Sequence, residues 1–309
     1  MKSIDGILGL AIADAMGVPL EFCIREKLQK NLTTTMKGYG SHPVPKGTWS
    51  DDTSMTLALV DAISKSGDIV PKDIADNFVA WVEKAKYTAT GETFDIGRTC
   101  LQAVSNYKRG VLAEESGIDG EYSNGNGALM RILPLAYYLK SKNLFGKAIY
   151  DLVKTVSSIT HKHEVSVMGC YIYILFALEL LDNNNIYEAY NNIKEKDYSY
   201  FSEDCISRYA RILNSDITSC VMEDIKSTGY VVDTLEASLW CLLTTNSYKD
   251  CIIKAINLGN DTDTVGACAG GLAGMYYGVE NIPVEWKQDL IKREYIEELC
   301  MKLDEKLII

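Results

Sequence analysis

The sequence predicts an all-α chain folded as a single compact multi-helix orthogonal bundle, one domain spanning residues 1–309. Three observations carry that expectation. Apolar residues recur at the 0, 3, 4, 7 spacing of one helix face, strand alternation is almost absent, and glycines and prolines fall largely between the periodic segments. At 47% hydrophobic and 24% charged residues, the chain can bury a large core. Length alone allows one domain or two at ~100–200 residues each, but no low-complexity linker and no 30–50-residue repeat divides it.

The first element is MKSIDGILGLAIADAMGVPLEF, whose apolar stretch resembles a signal h-region. Asp5 and Asp14 interrupt it and no small-residue cleavage site follows, so a buried helix is expected. After a Gly-rich loop with Pro43 and Pro45, Met55, Leu57, Ala58 and Leu59 mark a second apolar helix. Pro71 opens a helix near 72–86, on which Ala75, Phe78, Val79 and Val82 share a face. Ile149, Leu152, Val153 and Val156 repeat the pattern, as do Ile206, Tyr209, Ala210 and Leu213. The longest uncharged run, Val165 to Leu178, has 14 residues against the ~20 needed to span a bilayer, so no transmembrane segment is predicted. The polar stretches Asn183–Asn185 and Asn191–Ser202 read as a surface excursion. About a dozen helices result.

GACAGGLAGMYYG, near the end, places Gly266, Gly270, Gly274 and Gly278 at every fourth residue. On a helix these form a stripe without side chains. Each glycine costs ~1 kcal/mol of helix propensity relative to alanine, so four need a reason. Either a neighbouring helix backbone approaches closely, or a ligand lies beside the helix. Both make this helix central.

Composition narrows the function. With 31 Lys and Arg against 42 Asp and Glu, the net charge of −11 repels polyanions, which disfavours nucleic acid as a partner. His42, His161 and His163 are the only histidines, so a bound metal is expected to take oxygen ligands. Nine cysteines without a C-x-x-C pair read as reduced thiols and point to the cytoplasm.

Two polar turns border apolar helices. GTWSDDTSMTLAL carries Ser50, Asp51, Asp52 and Thr53, and NLGNDTDTVGACAGG carries Asn260, Asp261, Asp263 and Thr264. Helix capping explains one such turn, because Ser, Thr and Asp accept free first-turn N–H groups. Two turns, each with paired carboxylates and hydroxyls, hold more negative charge than caps need and suit a hard cation such as Mg²⁺, Mn²⁺ or Ca²⁺. An EF-hand is excluded, since Val265 and Leu272 stand where its fifth and twelfth ligands belong. No Walker loop, G-x-G-x-x-G, H-E-x-x-H or G-x-S-x-G is present. Ser123 to Arg131, SNGNGALMR, reads as a turn entering an apolar helix, either a plain helix start or a phosphate cradle.

Taken together, GILGLAIADAMGVPLEF, GTWSDDTSM, the DIG of FDIGRT, NGNGALMR, THKH and GNDTDTVGACAGGLAG resemble the ADP-ribosylglycohydrolases. The motifs span residues 6 to 274 in the family's order, and the WSDDT and GNDTDTVGAxAG pair is specific. The resemblance implies a compact all-α fold of that type with two Mg²⁺ or Mn²⁺ ions at the base of an ADP-ribose cleft. Ser50, Asp51, Asp52, Asp261, Asp263 and Thr264 would be the metal ligands. Glu21 matches the family's cleft glutamate, and Asp95 matches an acidic residue of the arginine-directed members. Gly125, Asn126 and Gly127 would meet the diphosphate, with His163 by the phosphates or distal ribose. Two departures stand out: Ala13 precedes Asp14 where glycine is common, and Ser50 replaces a common threonine while keeping a hydroxyl.

The implied activity is metal-dependent cleavage of the C1″ glycosidic bond of ADP-ribosylated protein, releasing ADP-ribose, with arginine favoured as acceptor. Alternatives are serine-linked or poly-ADP-ribose, an ADP-ribosylated nucleobase, a small N- or O-glycoside, or a non-catalytic relative. A monomer without a membrane partner is expected.

Overall fold

A computed structural model describes residues 2–182 and 185–308. The chain opens with α1 (Ser3–Gly17) and α2 (Arg25–Lys30), then α3 (Asp51–Ser66) and α4 (Pro71–Lys84). Loops lead to α5 (Arg98–Lys108) and then to α6 (Pro134–Ser141), α7 (Lys147–Ser158) and α8 (Glu164–Leu181). Next come α9 (Ile186–Lys194), α10 (Glu203–Arg208), α11 (Ala210–Asn214) and α12 (Val231–Leu243). The chain closes with α13 (Tyr248–Ile256), α14 (Thr262–Tyr277), α15 (Val284–Asp289) and α16 (Arg293–Leu307). Among the described residues no strand forms, only two isolated bridges, Ile118 to His161 and Gly125 to Tyr230.

Gly266, Gly270 and Gly274 of α14 pack on α1, which settles the choice left open by the sequence, whereas Gly278 lies past the helix end at φ 83° and takes no part in that contact. A Cβ on Gly270 would lie 2.6 Å from the carbonyl oxygen of Gly9, and one on Gly9 would lie 2.5 Å from that of Gly270. No side chain fits between the two backbones. The Ala13 methyl fills the space that Gly270 leaves, so the extra carbon is accommodated by the facing glycine. From Gly6 to Leu20 every residue is buried, and each leucine or isoleucine contributes roughly 2 kcal/mol by leaving water. This pair fixes the end of α1 against the start of α14.

Helix α8 is buried all round. Ser3–Leu20 and Glu164–Leu181 are long and apolar enough to cross a bilayer, yet 89% of each lies inside the bundle, so both serve as core helices. The uncharged-run count stopped at Glu179, which is itself buried.

Two local expectations change. The periodic stretch 206–213 is broken into α10 and α11 at wholly buried Tyr209, whose hydroxyl donates to the Val165 carbonyl at 2.6 Å. The polar stretch from Asn191 begins inside α9, and its aromatics fold back: Tyr200 stacks on Tyr150 at 4.5 Å, and Phe201 meets Tyr171 at 5.8 Å. Of the Asn183–Asn185 stretch, residues 183 and 184 lie outside the described residues.

Candidate active site

The site begins with a buried carboxylate that the sequence presented as an interruption. Asp14, on α1, accepts from the Ser50 N–H at 3.0 and 3.1 Å, the Thr53 N–H at 3.1 Å and the Thr53 hydroxyl at 2.5 Å. It therefore pins the N-terminus of α3 to α1. On the other side, a Cβ on Gly17 would fall 2.5 Å from both the Asp263 nitrogen and the Thr262 carbonyl oxygen, while Thr262 Oγ1 donates to the Gly17 carbonyl at 2.8 Å. The last turn of α1 thus holds both acidic turns, the first at Asp14 and the second at Gly17. The turns touch directly where Thr264 Oγ1 donates to Asp52 Oδ1 at 3.3 Å.

Backbone strain gathers at the same place. Phe22, Asp95 and Asn260 have φ of 61°, 58° and 60°, a left-handed conformation that costs non-glycine residues of order 1–3 kcal/mol each. Tertiary bonds hold two of them: the Phe22 N–H donates to the Asn260 carbonyl at 2.7 Å, and the Asn260 N–H to the Cys23 carbonyl at 2.8 Å. The turn bearing Glu21 is thereby locked to the turn bearing Asp261.

A cleft of about 250 Å³ opens above these turns. Of the residues expected from sequence, Glu21, Asp51, Asp95, Gly125, Asn126, Gly127, Asp261 and Thr264 line it. Ser50, Asp52 and Asp263 are buried. Residues 128–133 do not start an α-helix as expected; Leu129–Arg131 make a 3₁₀ turn, and Pro134 begins α6 separately. The Asn126 N–H is also committed, donating to the Gly229 carbonyl at 3.0 Å, and its amide donates to Asp261 Oδ2 and Thr234 Oγ1, both at 2.8 Å. Asn126 orients Asp261.

His163 is placed differently from the expectation. It caps α8, accepting from the Val165 N–H at 3.3 Å, and its Nε2 lies 3.3 Å from Glu121. The histidine that lines the cleft is His161. Gly127 makes room for it, because a Cβ there would lie 2.8 Å from its Cε1. Buried Arg131 donates to Thr160 Oγ1 at 2.7 Å, and the same oxygen lies within hydrogen-bond distance, 3.0 Å, of His161 Nδ1. Burial, aided by Arg131, pushes the His161 pKa down to about 3, so the ring stays neutral.

The electrostatics of the acidic turns decide between capping and cation binding. Ser50 does cap α3, accepting from the Asp52 N–H at 3.3 Å, but the Asp261 side chain makes no cap bond to α14. Capping leaves the aspartates unexplained. Burial, then neighbouring carboxylates, holds Asp51, Asp52 and Asp263 well above the usual carboxylate range. Burial, followed by Asp95 and Asp261, lifts Glu21 to about 10. Among the described residues, His42 is the one basic side chain within ion-pair distance of these groups. Asp52 Oδ2 is buried with no hydrogen-bond partner. Carboxylate oxygens of Asp14, Asp52 and Asp263 lie within 4.8 Å of one another, as do those of Glu21, Asp261 and Asp263. An unpartnered oxygen among crowded, all-oxygen donors fits a hard divalent cation.

The helical bundle gathers carboxylates from distant turns into one cleft, where acid–base work on a glycosidic bond can be done. The chain belongs to the ADP-ribosylglycohydrolase family, whose model matches residues 2–308. It is similar to the ADP-ribosylarginine hydrolase Tri1 of Pseudomonas putida (strain GB-1), 34% identical across 96% of this chain and 76% of the relative. It also resembles the ADP-ribosyl-[dinitrogen reductase] glycohydrolase of Rhodospirillum rubrum, 28% identical across 94% and 90%. The solved structure of an ADP-ribosylglycohydrolase-related protein complex superposes with a TM-score of 0.78, at 26% identity, covering 99% of this chain and 97% of that one.

Sequence reasoning passed over Asp14, His42 and His161 as site residues. Asp14 gave a signal as a charge inside an otherwise apolar helix, where an acid is expensive unless it has work to do, and His161 as a member of THKH, while His42 gave none.

Proposed function

We propose that this chain hydrolyses the C1″–N bond of ADP-ribosylated arginine on proteins, with two Mg²⁺ or Mn²⁺ ions held by Ser50, Asp51, Asp52, Asp261, Asp263 and Thr264. The observation that carries the reading is the convergence of both acidic turns with Glu21 and Asp95 at one cleft. The name of the Tri1 relatives supports arginine as acceptor. When bound, the ions supply positive charge that neutralises the aspartates and orients the hydroxyls of the distal ribose.

The chain's own groups do the rest. Glu21, kept protonated by burial and its acidic neighbours, is a proton donor for the departing nitrogen or the ring oxygen, and after bond cleavage its carboxylate accepts a proton from water. Asp95 faces the same space and complements the positive charge of an oxocarbenium-like state and of a guanidinium acceptor. Water adds its hydroxyl to C1″ and its proton to the leaving arginine, so ADP-ribose and the unmodified side chain result. The neutral His161 ring lines the cleft beside Gly125 and Gly127, suited to hydrogen-bond a ribose hydroxyl. We read the chain as one domain, and its nine unpaired thiols support a reducing, cytoplasmic setting.

The test is incubation with arginine-, serine- and nucleic-acid-linked ADP-ribose, each with Mg²⁺, Mn²⁺ or EDTA. Release from the arginine conjugate that EDTA abolishes is the expected result. Release from the serine or nucleic-acid conjugate alone would overturn the acceptor assignment.

A further inference from the structure

His42 sits at the junction of three loops, bonded to Glu21 and near Asp95 at the mouth of the cleft. Its Nε2 is 2.5 Å from Glu21 Oε2 and 3.9 Å from Asp95 Oδ2. The loop that carries it is fastened to the Glu21 turn by backbone: the Ser41 N–H donates to the Pro19 carbonyl at 3.1 Å, and Ser41 Oγ bonds the Glu21 carbonyl. The ring is wedged between Phe22 and Phe94, with centroids 6.1 and 5.2 Å away. Each phenylalanine is the chain neighbour of one of the two acids. Phe22 follows Glu21 and Phe94 precedes Asp95, so the aromatic contacts fix the ring relative to both carboxylates at once.

We propose that His42 is a positioning residue: its Nε2–H bridges Glu21 toward Asp95 and holds the two acids in the facing arrangement that hydrolysis uses. This rests on the reading of Glu21 as the catalytic carboxylate. Glu21 and Asp95 face the same space, and a bond from His42 to Glu21 fixes the direction in which the Glu21 carboxyl points. The positive φ of Phe22 and Asp95 agrees with this role, because both backbones are held in strained turns that place their side chains around one ring.

The experiment compares His42→Phe, which keeps an aromatic ring between the two phenylalanines and removes the N–H, with His42→Gln, which keeps a donor near the Nε2 position. Steady-state kinetics on ADP-ribosylarginine with saturating Mg²⁺, and melting temperature, are read for both. His42→Phe is expected to lower kcat about 10- to 100-fold with KM within about twofold, the loss of one charge-assisted hydrogen bond felt in the transition state. His42→Gln is expected to recover most of that loss. Wild-type kcat in His42→Phe would overturn the proposal, and so would His42→Gln as impaired as His42→Phe. If the phenylalanine variant does not fold, the glutamine variant decides alone: near-wild-type kcat supports the bridge and a 10-fold loss overturns it. Glu21→Gln, run in parallel, separates the two ideas, since full activity there removes the catalytic reading of Glu21 itself.

Discussion

Thr264 and Asp52, 212 residues apart in the chain, meet on the floor of the cleft through a 3.3 Å hydrogen bond from the Thr264 hydroxyl to Asp52 Oδ1. Its other oxygen, Oδ2, is buried without a partner. Asp52→Asn removes one negative charge from the crowd while keeping the side chain's shape. The metal-free variant is expected to melt at or above the wild-type temperature, and ADP-ribose release with Mg²⁺ to fall by about 100-fold or more. Paired melting curves and rate assays check both halves. A variant that melts much lower and stays active would show that Asp52 is structural.

The same crowding sets a pH dependence. A carboxyl whose folded pKa is raised stabilises the fold in its protonated form, fully below the ordinary value near ~4, and loses that contribution as pH rises through the folded pKa. Asp14 is lifted to about 7 and Glu21 to about 10, in each case chiefly by burial. Metal-free protein should therefore melt at progressively lower temperature from pH 5 to pH 8. Saturating Mg²⁺ should flatten that slope by compensating the ionised aspartates. Identical slopes with and without metal, read by thermal shift, would contradict the assignment.

Gly17→Ala tests how tightly α1 sets the second acidic turn. The added methyl meets backbone atoms of Thr262 and Asp263, which cannot swing aside as a side chain would. Overpacking of this kind costs about 1–3 kcal/mol. Melting temperature should drop by several degrees, and activity should fall further than unfolding alone explains, because Asp263 is displaced. A variant with a lowered melting temperature and an unchanged kcat would place the strain elsewhere.

The legible parts of this protein were those written in local pattern. The stripe of Gly266, Gly270 and Gly274 announced a close helix contact, and Pro71 marked the start of α4. The paired aspartates of both turns stood out because capping needs fewer charges than they carry. What remained hidden depends on tertiary approach. His42 lies in a loop rich in Gly and Pro, where nothing nearby in sequence shows that Glu21 lies 2.5 Å away. His161 and His163 are two residues apart and differ only in which one the turn before α8 directs into the cleft. Tyr209 reads as one more apolar residue at helical spacing, and only its bond to Val165 shows that the helix breaks there.

The central claim is that the two acidic turns form a divalent-cation site. Calorimetric titration of Mn²⁺ into metal-free protein, wild type beside the Asp261→Ala/Asp263→Ala double variant, tests it most directly. Saturable binding of two ions by the wild type, lost in the variant while its helical circular dichroism is preserved, is the predicted result. Equal binding by both proteins, or none by the wild type, would contradict it.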